Sequence, residues 1–166
     1  AMHQGFGVNP ADSSIFEKNK EAIDFAVELA DRFGAKKIIF HPGNINNENC
    51  SRKNAVDMIT GSDQKVILEN LPSVNNGFCV LPDDTKKFIS DVGKGFCFDI
   101  NHAINAATSV GEDYMKVIRE FVLLAPAHYH IGGQKVEGYN THLAFEDSDI
   151  PLRKIFELLP SHFLIP

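Results

Sequence analysis

The apolar positions of this chain come in short continuous runs, and three of them stop on a side chain able to hold a metal ion. Lys37-Ile38-Ile39-Phe40 leads into His41, Val66-Ile67-Leu68 into Glu69, and Phe96-Cys97-Phe98 into Asp99. A continuous run of β-branched and aromatic residues reads as a strand buried on both faces, as in a parallel sheet. Helical patterns lie between the runs. Asp12-Ser13-Ser14 opens one, with Ser14 and Glu17 in capping-box register. Its apolar stripe is Ile23, Ala26, Val27, Ala30 and Phe33, and Gly34 closes it. Further helices are predicted over residues 51–60, from a cap at Asp83 or Asp84 to Val92, along Tyr114, Val117, Ile118, Phe121 and Val122, and over residues 150–159. Residues 3–8, 127–131 and 163–165 are additional strand candidates, and residues 71–81 read as a long loop.

Strands and helices thus alternate, which points to a parallel sheet with covering helices. The reading is a TIM-barrel-like α/β fold in which residues 2–166 form a single, partial domain of about six βα units. A complete eight-fold barrel typically needs about 250 residues, and this chain has 166. The open barrel edges call for cover, so either a homodimer or a missing part of the natural protein is expected.

Composition narrows the function. Hydrophobic content of 43% and charged content of 23% are those of a globular protein. A net charge of −6 argues against non-specific nucleic-acid binding, though not against a local metal site that attracts phosphate. No apolar stretch approaches the ~20 residues needed to span a bilayer, and no signal peptide is evident. Cys50, Cys79 and Cys97 form no CxxC pair and read as reduced thiols, Cys97 in a strand core, so a cytoplasmic location is expected.

The candidate chemistry lies at the strand ends. In an α/β barrel these converge on one face. Pro42 and Gly43 aim His41 by restricting and then sharply turning the chain; a histidine satisfied by a backbone carbonyl is the alternative. Glu69 ends an apolar strand, where a carboxylate is costly to bury unless it is paired or ligates a metal; a salt bridge to a Lys or Arg is the alternative. Asp99 and His102, three residues apart, offer an oxygen and a nitrogen suited to zinc or manganese; a helix cap at Asp99 is the alternative. Alternation puts His128 and His130 on one strand face and Tyr129 on the other. His142 sits in a polar loop after Gly132-Gly133.

These residues resemble the endonuclease IV family, within the xylose-isomerase-like barrel superfamily. Phe40-His41-Pro42-Gly43 matches that family's Phe-His-Pro-Gly, its most specific motif here. His3-Gln4-Gly5-Phe6-Gly7-Val8-Asn9, Ile67-Leu68-Glu69-Asn70, Cys97-Phe98-Asp99-Ile100-Asn101-His102-Ala103, Tyr129-His130-Ile131 and Asn140-Thr141-His142 resemble its other ligand segments. The resemblance implies two to three zinc ions that cleave DNA on the 5′ side of an abasic site. Glu69 would bridge two of them and act catalytically. His3 and His41 would complete the first ion, Asp99 and His130 would hold the second, and His102 and His142 the third. Asn70, His128 and Asn140 would meet the substrate. Asn140 stands where the family has a ligand aspartate, and Gly133 replaces an aspartate that follows the His130 strand there. The family's first two βα units and its last glutamate ligand have no counterpart in the chain.

A second reading is a sugar or sugar-phosphate isomerase or epimerase of the same superfamily. Glu69, Asp99 and His130 would then hold one manganese or magnesium, and carboxylates would shuttle a proton beside a carbonyl. A non-catalytic remnant that binds metal or a partner is the third reading.

Overall fold

The computed structural model describes residues 7–72, 75–137 and 140–161, the side chains of residues 140–142 excepted. The predicted strands at residues 3–8 and 163–165 therefore lie largely or wholly outside the described residues. The other four strands form one parallel sheet in the order β1 (Ile38–Phe40), β2 (Val66–Glu69), β3 (Gly95–Asp99), β4 (His128–His130). Ile39 is in register with Ile67, Ile67 with Gly95, Glu69 with Cys97 and Asp99 with His130. Lys37 donates to the Ala127 carbonyl just ahead of β4, a tie from the first strand to the last.

Helices cover one face of this half-barrel. α1 (Phe16–Phe33), α2 (Arg52–Thr60) and α3 (Pro82–Val92) pack Ile23, Ala55, Ile59 and Phe88 against Phe40, Val66 and Leu68. α4 (Ile100–Val110) and α5 (Tyr114–Val122) pack Ile104, Ile118 and Phe121 against Phe96 and Phe98. The Phe98 and Phe121 rings stack with centroids 4.8 Å apart. Alternation leaves Ile39, Ile67, Glu69, Cys97, Asp99, His128 and His130 on the opposite, interior face. Among the described residues no helix is long and apolar enough to cross a membrane.

Several local expectations are corrected. Asp12, not Ser14, caps the first helical segment: its carboxylate accepts from both the amide and the hydroxyl of Ser14. A 3-10 turn at Ser13–Ile15 then precedes α1. Phe33 is 78% exposed because, among the described residues, nothing pairs with the outer edge of β1 beyond it. Neither Asp83 nor Asp84 caps α3. Pro82 occupies the first turn, where its missing N–H leaves one donor fewer to satisfy.

The interval after Asp99 holds a complete helix, α4, that the periodic reading did not assign. The last predicted helix shrinks to α6 (Leu152–Phe156), bracketed by Pro151 and Pro160. The supposed loop around Gly133 is an antiparallel hairpin of β5 (Gly133–Lys135) and β6 (Asn140–Leu143). Gly133 permits it, since a Cβ there would lie 2.2 Å from the Ala144 carbonyl oxygen.

Phe98 is the test of this core. Phe98→Ala is expected to destabilise the protein by about 3–5 kcal/mol in denaturant titrations. A loss below about 1 kcal/mol would mean the Phe98–Phe121 stack is not the centre of the second core cluster.

Candidate metal centre

Every side chain of the cluster is aimed by the strand or turn that carries it. Glu69, at the end of β2, is 3% exposed, and so is Asp99 at the end of β3. His130, at the end of β4, lies between them: its Nδ1 is 2.7 Å from Glu69 Oε1 and 3.8 Å from Asp99 Oδ2. On the other side, His41 Nε2 is 3.1 Å from Glu69 Oε2. Among the described residues no lysine or arginine pairs with either carboxylate, so the salt-bridge alternative for Glu69 fails.

Asp99 is both helix cap and site residue. Its Oδ1 accepts from the His102 amide at 2.9 Å, starting α4, while Oδ2 faces His130 and lies 4.0 Å from His102 Nδ1. His102 Nδ1–H donates to the Asn70 carbonyl at 2.7 Å, which leaves the lone pair on Nε2. The Asn70 side chain was expected to meet substrate; it is fully buried and bound to the main chain of Asp99. Asp99 N–H donates to Asn70 Oδ1 at 2.7 Å, and Asn70 Nδ2 donates to the Asp99 carbonyl at 2.9 Å. Asn70 thus positions Asp99.

The loops are held as firmly. Gly43, after His41, has φ +97°, and a Cβ there would lie 2.6 Å from Asn9 Oδ1. Asn9 Oδ1 accepts from the Asn44 amide at 3.1 Å, and Phe78 N–H donates to the Gly43 carbonyl at 3.2 Å. The turn carrying His41 is thereby tied to the loop after β2. Beyond His130, the Asn101 side chain, which sequence reading did not single out, accepts from Gly132 N–H at 2.7 Å. It also donates to buried Gln134 at 2.9 Å, anchoring the hairpin to α4. An open cleft of about 420 Å³ is lined by Asp99, Asn101, Tyr129, His130, Ile131 and Gly132.

The structure therefore brings together His41, Glu69, Asp99, His102 and His130. His128 stands beside His130, ring centroids 5.4 Å apart, rather than on the carboxylates. His3 lies outside the described residues, as do the side chains of Asn140 and His142. Cys97, in register with Glu69 and two residues from Asp99, also faces the cluster; the i, i+2 spacing was the signal for it.

Electrostatics separate the two carboxyls. Burial pushes Glu69 up, but hydrogen bonds from His130 and His41 outweigh it and hold its carboxyl well below the usual range. Burial dominates at Asp99 and raises it, with charge on His102 opposing. The Glu69 hydrogen bond raises His130, burial and His130 lower His128, and burial with the nearby carboxylates raises the Cys97 thiol.

The donor set fits a divalent cation. One ligand atom from each of Glu69, Asp99 and His102 lie within 4.8 Å of one another, as do atoms from Glu69, Cys97 and His130. Two buried carboxylates whose nearest ionisable partners are imidazoles are the oxygen and nitrogen donors that zinc or manganese takes.

Two outcomes follow. Glu69 stabilises the metal-free protein fully above its ordinary value of 4.5, a contribution lost as pH falls below it. His130 stabilises it fully below 6.5, a contribution lost as pH rises through its raised value, and raised Asp99 also costs stability as it ionises. Calorimetric melting of metal-free protein should peak between those two values and fall as pH rises through the raised His130 value, while cation affinity rises about tenfold per pH unit for each displaced proton. A flat melting profile would contradict this. Asn70→Ala should cost about 1–3 kcal/mol in denaturant titrations, because it leaves the buried Asp99 amide without its acceptor and takes one donor from the Asp99 carbonyl.

No curated protein matches the sequence significantly. Among solved structures, a D-tagatose 3-epimerase-like protein superposes with a TM-score of 0.71 at 20% sequence identity, over 91% of this chain and 61% of that one. The chain thus spans about three-fifths of that protein's length, and at this identity the likeness concerns the fold. The family model described as xylose isomerase-like TIM barrel matches residues 1–162. With metal-capable side chains gathered at the carboxyl ends of parallel strands, and that match over nearly its whole length, the chain belongs to the xylose isomerase-like TIM barrel family.

Proposed function

We propose that the protein is a divalent-metal-dependent isomerase or epimerase acting on a sugar or sugar phosphate. The observation that carries this reading is the Glu69–His130–Asp99 array: two buried carboxyls on adjacent strand ends, bridged by one imidazole and pushed apart in proton affinity. Pairs of groups driven apart in this way mark acid and base roles. Moving a hydroxyl or inverting a carbon beside a carbonyl requires a proton to be taken from carbon and returned.

Glu69 is the residue for that transfer. His41 and His130 keep it ionised and fix both of its oxygens. Asp99 and His130, with Glu69, would hold the cation, which when bound polarises a carbonyl oxygen. The cleft of about 420 Å³ suits a monosaccharide, and Asn101, Gly132 and Tyr129 line it beside Asp99 and His130. The fold likeness to a D-tagatose 3-epimerase-like protein supports the same reading, and so does the acidic net charge of −6.

A second reading is the zinc-dependent phosphodiesterase of the endonuclease IV type, acting on abasic-site DNA. It is favoured by His41 on the second oxygen of Glu69 and His102 beside Asp99, two imidazoles more than a single cation needs.

Manganese-, magnesium- or zinc-loaded protein in deuterated water should exchange the C2 or C3 proton of a ketose or ketose phosphate, read by NMR. Glu69→Gln should lower the exchange at least ~100-fold while the protein stays folded. No exchange with any sugar, together with Glu69-dependent incision of an abasic duplex, would overturn the first reading in favour of the second.

A further inference from the structure

The alternation that turns Glu69 and Asp99 inward turns Cys97 inward with them, whereas its neighbours Phe96 and Phe98 pack into the helix layer. Cys97 is fully buried, and among the described residues its Sγ makes no hydrogen bond. Cys50 differs: it too is buried, but its Sγ lies 3.0 Å from Asn46 Oδ1 and accepts from Asn9. Cys97 instead shares its sheet register with Glu69, and one ligand atom from each of Glu69, Cys97 and His130 lie within 4.8 Å of one another. A second trio, Glu69, Asp99 and His102, meets the same limit. The two trios share Glu69 and differ in chemistry, one offering sulfur, nitrogen and oxygen, the other nitrogen and oxygen alone.

We propose that Cys97 is a metal ligand, its sulfur joining Glu69 and His130 around a cation and biasing that position toward zinc-like ions over magnesium or manganese. Coordination breaks the S–H bond and forms a sulfur–metal bond; the proton leaves to solvent and nothing is oxidised or reduced. Soft thiolate selects zinc and its congeners, while all-oxygen and mixed oxygen–nitrogen sets accept the harder ions. The inference deepens the metal-dependent reading above and rests on it.

Cobalt(II), a coloured stand-in for zinc, tests it. Metal-free protein titrated with cobalt chloride should develop visible d–d absorption together with a near-ultraviolet thiolate-to-cobalt charge-transfer band. Cys97→Ser should lose that band, keep the visible absorption and bind cobalt about tenfold or more weakly. Circular dichroism of Cys97→Ser and Cys97→Ala confirms that each variant folds. Visible absorption without the charge-transfer band, or a band that survives in Cys97→Ser, would overturn the proposal and leave the isomerase reading standing. A Cys97-dependent band without sugar exchange would do the reverse. Failure to bind cobalt at all would sink both.

Discussion

Burying an ionised carboxylate costs several kcal/mol unless hydrogen bonds and opposite charge meet it, and this fold buries two on neighbouring strands. Glu69 and Asp99 have no lysine or arginine partner among the described residues, so imidazoles and main-chain amides meet the need. The solutions differ. Glu69 takes one imidazole on each oxygen and stays ionised. Asp99 commits one oxygen to the amino end of α4, where the helix dipole favours negative charge, yet burial still raises its carboxyl. A cation would relieve both at once, which is why the cluster reads as a metal centre rather than as structural ion pairs.

Around that pair the protein uses buried amides as rigid struts. Asn70 ties the end of β2 to the end of β3, and Asn101 ties α4 to the turn after β4 and to Gln134 of the hairpin. Asn9 ties the turn after His41 to the segment before α1. Each presents a donor and an acceptor in one plane and leaves neither unsatisfied. A site on loops thereby gains the rigidity of the sheet beneath it, which metal and substrate geometry demand.

The four parallel strands and five of the metal-capable residues were legible in the sequence because each depends on a local pattern: a buried apolar run, then a side chain worth burying only for a reason. Elements decided by several contacts at once were less legible. The Ser14–Glu17 capping register was present, but Asp12 lay closer to the first turn and took the role. Ile100 to Val110 formed α4 because Asp99 started it and Gly111 ended it, although its apolar content resembles a core run as much as a helix. The β5–β6 hairpin hinges on how closely Gly133 approaches Ala144, and spacing carries no trace of that.

Strand order along the chain and period-two alternation were enough to choose the α/β barrel architecture and to place His41, Glu69, Asp99, His102 and His130 at one end of it. Those rules act between near neighbours, so the sequence alone determined them. Partnership is another matter. That His130 bonds Glu69, that Asn70 positions Asp99 rather than facing substrate, and that Cys97 joins the carboxylates while His128 stands aside depend on contacts across strands 28 to 61 positions apart in the chain. Only the pairing of the strands decided them, because hydrogen bonds and metal sites are set by distances of a few ångströms that chain separation does not encode.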